Sequence, residues 1–151
     1  MKHRAVAQWD RTVRDGKGSI TTASGVLSDV AYGTALSAHG QMITSGVELI
    51  AAAHAACFSV SLAEKLDEAG FIAQWIKTTA TVTSQQLAEG WTVTGIMLEV
   101  VAKVPSANAQ DLIRAAVSAK LTCTICRVLN VNTSLQAKLE RTRSHRPPKS
   151  K

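Results

Sequence analysis

The sequence predicts an α+β fold built mainly from antiparallel sheet, and three patterns support this prediction. A long apolar helix is bounded by a capping residue, Ser45, and a stop signal, Gly70. Two β-rich segments, 71–82 and 91–104, follow it and flank a turn, and a shorter hairpin pattern opens the chain. Because strands and helices do not alternate one by one, the order favours antiparallel sheets over a parallel βαβ arrangement.

The first elements form a hairpin pattern. Residues 5–9 alternate between apolar and polar types, and a turn signal, Asp-Gly-Lys-Gly, follows at 15–18. Residues 19–22 are rich in β-favouring types, so they pair with the first segment as the second strand. A further short strand and loop are expected within residues 25–33.

The central helix is expected to be buried on more than one side. Ser45 is a good N-cap, and Glu48 three residues later completes a capping-box pattern. The middle of the helix is apolar almost all round, which a chain of this size cannot bury without a partner subunit. Two stripes run along it, one formed by Leu49, Ala53, Ala56, Val60 and Ala63 and the next by Ile50, His54, Cys57 and Ser61.

The second half of the chain is predicted to contain a hairpin, two helices and a last strand. The hairpin strands are rich in Val, Ile, Thr and Trp, and Ala-Glu-Gly at 88–90 forms their turn. Asn108 is a favourable N-cap for the first helix. The predicted helices run from Asn108 to about Lys120 and over 123–129, and the last strand covers 131–139.

Composition and charge indicate one ordered domain with a basic tail. The chain has 151 residues, of which 46% are hydrophobic and 19% charged, as in a globular protein. The net charge is +6, but residues 138–151 carry +5 of it, so residues 1–137 are nearly neutral. We therefore expect a single domain over 1–139, a disordered tail over 140–151, and no nucleic-acid partner.

The sequence also predicts a cytoplasmic protein without a membrane partner. Residues 1–10 contain no apolar core of a signal peptide. The longest stretch of low charge, 49–63, is shorter than a membrane span requires. In the cytoplasm cysteines stay reduced unless they are catalytic, transiently oxidised or metal-bound, so three cysteines do not predict a structural disulfide framework.

The candidate catalytic site consists of two cysteines in different settings. Cys57 lies inside the apolar helix and Cys123 at the start of the short helix 66 residues later. A buried free cysteine is often only a small apolar side chain. A pair brought together by the fold can instead reduce a peroxide, since one thiolate attacks the O–O bond and the second thiol condenses with the sulfenic acid.

A third cysteine leaves several interpretations open. Cys126 completes Cys-x-x-Cys with Cys123, and His54 stands three residues before Cys57. Three interpretations of Cys126 follow: a neutral substitution on a short helix, a backup resolving thiol, or a member of a zinc site with one histidine and three cysteines. His54 alone is more typical of a packed residue near the site than of a catalytic base.

The run His54-Ala-Ala-Cys57-Phe-Ser resembles the central helix of the OsmC family, the osmotically inducible and organic hydroperoxide resistance proteins. The resemblance continues through the helix end at 66–71 and covers roughly residues 5–139. A histidine at position 54 favours the OsmC branch, because the organic hydroperoxide resistance branch usually has tyrosine there.

The resemblance implies an intertwined homodimer with active sites at the subunit interface. It implies that Cys57 is the attacking thiol, that Cys123 is the resolving thiol, and that a dithiol of the dihydrolipoyl type is the reductant. The expected enzyme is a peroxidase that reduces organic hydroperoxides, and less readily hydrogen peroxide, in oxidative and osmotic stress. No cofactor and no resident metal are expected.

Two positions depart from the family pattern. An ungapped alignment places Ser37 and Val47 where the family has an arginine that favours the thiolate and a glutamate that orients the arginine. A neighbouring cation favours a thiolate, so its loss bears on reactivity. The sequence therefore leaves two alternatives to a peroxidase: a non-catalytic protein of this fold with a ligand-binding or structural role, and a zinc-bound thiol site.

Overall fold

The structure is a computed structural model that describes residues 1–33 and 43–140. The chain divides into two compact units, one before and one after the peptide bond between Ile50 and Ala51. The elements are β1 (Ala5–Asp10), β2 (Lys17–Thr22), β3 (Val30–Tyr32), α1 (Gly46–Glu68), β4 (Trp75–Leu87), β5 (Gly90–Lys103), α2 (Ala109–Thr122), α3 (Thr124–Val128) and β6 (Thr133–Leu139).

The predicted α+β class with mainly antiparallel sheets is confirmed. In the described residues each unit contains a three-stranded sheet, in the order β1-β2-β3 and β4-β5-β6. Strand pairs β1–β2, β2–β3 and β4–β5 are antiparallel. Among the strands of the described residues, β5 and β6 are the one parallel pair, because two helices separate them in sequence and return the chain to the end of the sheet where β5 begins.

The first sheet depends on a glycine beneath two aromatic rings. The rings of Trp9 and Tyr32 contact each other with centroids 5.8 Å apart. Gly18 pairs with both residues across the sheet. A Cβ atom at Gly18 would lie 2.6 Å from a Tyr32 ring carbon and 2.8 Å from a Trp9 ring carbon, so a larger residue would displace a ring.

Helix α1 begins and ends at the predicted signals. The Ser45 hydroxyl accepts a hydrogen bond from the Glu48 backbone N–H at 3.1 Å. The Glu48 carboxylate accepts a hydrogen bond from the Thr44 hydroxyl at 2.9 Å. The serine side-chain half of the predicted capping box is therefore present, and in the other half the Glu48 carboxylate binds the Thr44 hydroxyl. At the other end Gly70 has φ +79°, and the Phe71 N–H donates to the Leu66 carbonyl at 2.8 Å, which closes the helix with a left-handed glycine.

The predicted cap of α2 is also found. The Asn108 side chain accepts hydrogen bonds from the backbone N–H groups of Gln110 and Asp111 at 2.9 and 3.0 Å. The Asp111 carboxylate accepts from the Asn108 N–H at 2.9 Å, which completes a capping box. The start of the helix is therefore fixed by residues within its own first turn.

The core of the second unit joins α1, β5 and α2. Strand β5 alternates buried and less buried residues along its second half, as a strand with one covered face does. The fully or almost fully buried members of the cluster are Phe58, Leu62 and Leu66 from α1, Leu98, Val100 and Ala102 from β5, and Leu112, Ala116 and Ala119 from α2. Cys123 belongs to the same cluster, so one thiol of the predicted pair is part of the core.

Helix α1 is the one element in the described residues that is long and apolar enough, by length and composition alone, to cross a membrane. Leu62 and Leu66 on this helix are fully buried in the core. The helix therefore serves as a core element of the second unit, while the described residues leave much of its remaining apolar surface uncovered.

Candidate thiol site

The two predicted site cysteines lie next to each other. Cys57 projects from the middle of α1 and is half-buried. Cys123 lies between α2 and α3 and is fully buried. Their Sγ atoms are 3.4 Å apart, within the distance of a weak thiol hydrogen bond. A disulfide has an S–S length of about 2.05 Å, so the pair can be joined after a small movement of the side chains.

The backbone around Cys123 places its thiol at a break between two helices. Its N–H donates to the Ala119 carbonyl at 2.8 Å and ends α2. Its carbonyl accepts from the Arg127 N–H at 3.1 Å and starts α3. With φ −57° and ψ 122° the residue itself is not helical, so the chain turns at Cys123.

The surroundings of Cys123 favour its thiolate. Burial raises its pKa, but the backbone N–H of Cys126 and the thiol of Cys57 lower it. The Cys126 thiol and the Ile125 N–H act in the same direction, and the net result is a pKa below the usual value for cysteine. Hydrogen-bond donors at the start of a helix stabilise a thiolate in this way.

A second contact joins His54 to Cys126. The Nε2 atom of His54 lies 3.0 Å from the Cys126 Sγ atom. Burial raises the pKa of Cys126 to about 12, and the Cys123 and Cys57 thiols contribute to this. Lys120 opposes the shift. Cys126 is therefore held as a neutral thiol beside Cys123.

His54 itself is fully buried. Its desolvation lowers its pKa, so the imidazole is neutral near pH 7. The Nδ1 atom has no hydrogen-bond partner among the described residues. The ligand atoms of His54, Cys123 and Cys126 all lie within 4.8 Å of one another, so the site gathers four side chains capable of binding metals or undergoing thiol chemistry when Cys57 is included.

Sequence comparison identifies the family of the chain. The family model described as OsmC-like protein matches residues 38–138. The chain is also 37% identical, over 134 residues, to the protein named Peroxiredoxin OsmC from Escherichia coli strain K12, and the match covers 89% of this chain and 94% of that protein. A protein of the same name from Shigella flexneri gives the same identity and coverage. The chain belongs to the OsmC family.

Solved structures share the fold of this chain. The organic hydroperoxide resistance protein OhrB of Bacillus subtilis aligns with a TM-score of 0.69 and 22% identity, and the alignment covers 93% of this chain and 98% of that chain. An OsmC-like protein from Mycoplasma pneumoniae aligns with a TM-score of 0.77 and 11% identity, with coverage of 93% and 99%. These structures confirm the predicted OsmC-like fold.

Of the two positions that are expected to depart from the OsmC family pattern, only one lies in the described residues. Ser37 lies outside the described residues. Val47 lies in the first turn of α1 and is 38% exposed. Arg127, which follows Cys126, is exposed and is not among the groups that lower the pKa of Cys123. In the described residues, the groups that lower the pKa of Cys123 are therefore backbone N–H groups and neighbouring thiols.

From the sequence, a contact between His54 and Cys126 was expected only in the zinc-site alternative. Both residues stood in recognisable spacings, His-x-x-Cys and Cys-x-x-Cys, but the interpretation favoured a packed histidine and a neutral third cysteine. The structure places their ligand atoms 3.0 Å apart. The paired spacing was the signal that could have joined them.

Proposed function

We propose that this chain is a thiol-dependent peroxidase that reduces organic hydroperoxides through Cys57 and Cys123. The observation that carries the proposal is the 3.4 Å separation of their Sγ atoms across α1 and the α2–α3 junction. Cys57 is half-buried and Cys123 is fully buried, so Cys57 is the sulfur that an incoming peroxide can reach.

The first step is attack by Cys57 on the hydroperoxide. The Cys57 sulfur bonds to the terminal oxygen, the O–O bond breaks, and Cys57 becomes a sulfenic acid. The alkoxide leaves as an alcohol after it takes up a proton. The Cys123 sulfur, whose pKa is lowered by its surroundings, lies close enough to accept the proton of the Cys57 thiol as the attack begins.

The second step forms the disulfide. The Cys123 thiol attacks the Cys57 sulfenic sulfur, and the hydroxyl group leaves with the thiol proton as water. One hydroperoxide is thereby reduced to an alcohol and water, and two thiols are oxidised to one disulfide. An external dithiol then restores both thiols by exchange through a mixed disulfide. We propose a reductant of the dihydrolipoyl type, in line with the family resemblance.

Two further observations support this function. The relative that is 37% identical over most of its length is named a peroxiredoxin. Ala53 and Val60 lie about one turn before and after Cys57 on α1 and are exposed, so the surface beside Cys57 is apolar and suits the organic part of a hydroperoxide. A non-catalytic role would not require two thiols at hydrogen-bond distance, and it is the alternative that the test must separate.

Peptide mapping tests this function. One equivalent of an alkyl hydroperoxide added to the reduced chain should give a disulfide between Cys57 and Cys123 within each chain, with Cys126 unmodified. The variant Cys126→Ser is the matched control and should give the same disulfide. A link between Cys123 and Cys126, or a Cys57 sulfonic acid without a partner, would contradict the proposal. A chain that does not react would favour the non-catalytic alternative.

We also propose that the chain forms a homodimer, because α1 has a second apolar stripe. Ala53, Ala56 and Val60 lie on one side of this helix and are exposed in the single chain. The opposite side is buried in the core. The small alanines allow close approach of another helix. An open groove of about 650 Å³ beside α2 and β6 adds a further apolar surface, lined in part by Val117 and Leu121.

The variant Val60→Glu tests the homodimer. Val60 is 61% exposed in the single chain, so a charge there costs little unless a second copy covers it. We expect sedimentation velocity to show a dimer for the natural sequence at micromolar concentration and a monomer or an unfolded chain for the variant. The control Val26→Glu changes a valine that is 84% exposed in the first unit and should stay dimeric. A folded monomer of the natural sequence would overturn the proposal.

Three further proposals complete the functional picture. We propose that residues 1–139 act as one OsmC-like domain, that residues 140–151 form a basic tail, and that the protein works in the cytoplasm. The family match over residues 38–138 supports the first. Three free thiols are typical of a reducing compartment and support the last.

A further inference from the structure

The proposed peroxidase cycle uses Cys57 and Cys123 but leaves His54 and Cys126 without a part. These two side chains are not scattered near the pair. His54 stands one turn before Cys57 on α1, and Cys126 one turn after Cys123 on α3. His54, Cys123 and Cys126 therefore form one group of metal-ligating side chains, and Cys57 lies beside it, 3.4 Å from the Cys123 sulfur.

We propose that the reduced chain binds one zinc ion through His54, Cys123 and Cys126, with Cys57 as the fourth ligand. One imidazole and three thiolates are a donor set of structural zinc sites, and tetrahedral coordination is their usual geometry. The set contains no carboxylate, which disfavours calcium and magnesium. Soft sulfur ligands select zinc among the common divalent ions of the cell.

The distances fit a tetrahedral ion. Zinc–sulfur bonds of about 2.3 Å and zinc–nitrogen bonds of about 2.0–2.1 Å place neighbouring donor atoms roughly 3.5–3.8 Å apart. The separation from His54 Nε2 to Cys126 Sγ is 3.0 Å, and that from Cys57 Sγ to Cys123 Sγ is 3.4 Å. The first three ligand atoms all lie within 4.8 Å of one another. Side-chain movements of about 1 Å bring these three ligand atoms to the tetrahedral spacing, and the Cys57 side chain, which lies outside this group, turns toward the ion to become the fourth ligand.

The second observation is the hydrogen bonding of His54. The ring is fully buried, its Nε2 atom faces the cysteines, and its Nδ1 atom has no partner among the described residues. A buried structural histidine normally satisfies both ring nitrogens. Here a single sulfur contact is the one bond to be exchanged, so Nε2 can bind a metal at little cost in hydrogen bonding.

Zinc binding and the proposed peroxidase reaction exclude each other at this site. A disulfide between Cys57 and Cys123 removes two thiolates, so oxidation must release the ion. One hydroperoxide, the two zinc-bound thiolates and two protons from solvent yield one alcohol, one water molecule, the disulfide and a free zinc ion. This release rests on the proposed function, whereas zinc binding to the reduced chain does not.

Competition titration tests the site. The full chain is reduced, freed of metal with a chelator, and titrated with zinc chloride against a chromophoric chelator. We expect one zinc per chain, and cobalt in place of zinc should give the sulfur charge-transfer and visible bands of a tetrahedral thiolate site. Cys126→Ser and His54→Gln should each weaken binding by more than about a hundredfold, since loss of an outer-shell partner alone costs 10–100-fold.

The controls separate this site from adventitious binding and from the peroxidase. His3→Gln removes an exposed histidine and should leave zinc affinity unchanged. If the buried substitution at His54 prevents folding, the half-buried Cys126 variant decides the result. Equal affinity of the natural chain and Cys126→Ser, or no zinc uptake by the reduced natural chain, would overturn the proposal.

The two proposals fail in different ways. Zinc uptake that depends on Cys126, without a peroxide-induced disulfide, would keep the metal site and refute the peroxidase. A Cys57–Cys123 disulfide in a chain that never binds zinc would do the reverse. Zinc released in step with disulfide formation supports both.

Discussion

Replacement of Cys57 by serine should reduce hydroperoxide turnover to the background rate. A serine hydroxyl cannot supply the thiolate that attacks the O–O bond, and Cys123 is fully buried and less open to a peroxide. Turnover is measured by loss of an alkyl hydroperoxide in the presence of a dithiol reductant. The effect should be the largest of any single substitution, because it removes the reacting atom.

Cys123→Ser should separate the two steps. One equivalent of hydroperoxide should still be consumed, more slowly, to give the Cys57 sulfenic acid. A second equivalent should then oxidise it to the sulfinic acid, because no resolving thiol is present. Cys126→Ser is the control and should retain turnover, since it keeps the backbone N–H at this position and its hydroxyl replaces the thiol as a donor to Cys123. Activity that survives Cys57→Ser, or that requires Cys126, would assign the attacking or the resolving role to a different cysteine.

Leu62→Ala should lower the free energy of unfolding by about 2–5 kcal/mol, the usual cost of a cavity at a fully buried leucine. Leu62 is 0% exposed and belongs to the cluster that joins α1, β5 and α2. Urea unfolding at a fixed protein concentration measures the change, since a dimer makes apparent stability depend on concentration.

Leu87→Ala provides the matched control for Leu62. Leu87 is 43% exposed at the end of β4, so its truncation should change the free energy of unfolding by less than about 0.5 kcal/mol. Equal losses for the two variants would mean that the packing of α1 within the second unit is not what stabilises the fold. A loss confined to Leu62→Ala would confirm that packing.

Local signals explain why so much of the fold could be predicted. Ser45 and Gly70 bound α1, and Asn108 starts α2, because capping depends on residues within one turn of each other. The parallel pairing of β6 with β5 had no such local signal. It depends on how two helices return the chain, which the sequence pattern does not fix.

The site divides in the same way. The proximity of Cys57 and Cys123 could be expected from a family resemblance, whereas spacing alone indicated two separate thiols. The contact of His54 with Cys126 depends on how α3 packs against α1, two elements 72 residues apart at the contact. Each helix shows its own pair of ligating residues in the sequence, but only the packed structure joins the two pairs.

Because Cys123 lies between α2 and α3, a disulfide from it to Cys57 would also constrain the second unit of the chain. A bond to Cys57 would close a loop of 66 residues that contains β4, β5 and α2. In the chain-entropy account, a cross-link over such a length stabilises a fold by about 4 kcal/mol. Each catalytic cycle would then tighten and loosen most of the second unit, so the oxidation state of two sulfur atoms would set how readily that unit opens to proteases and to solvent exchange.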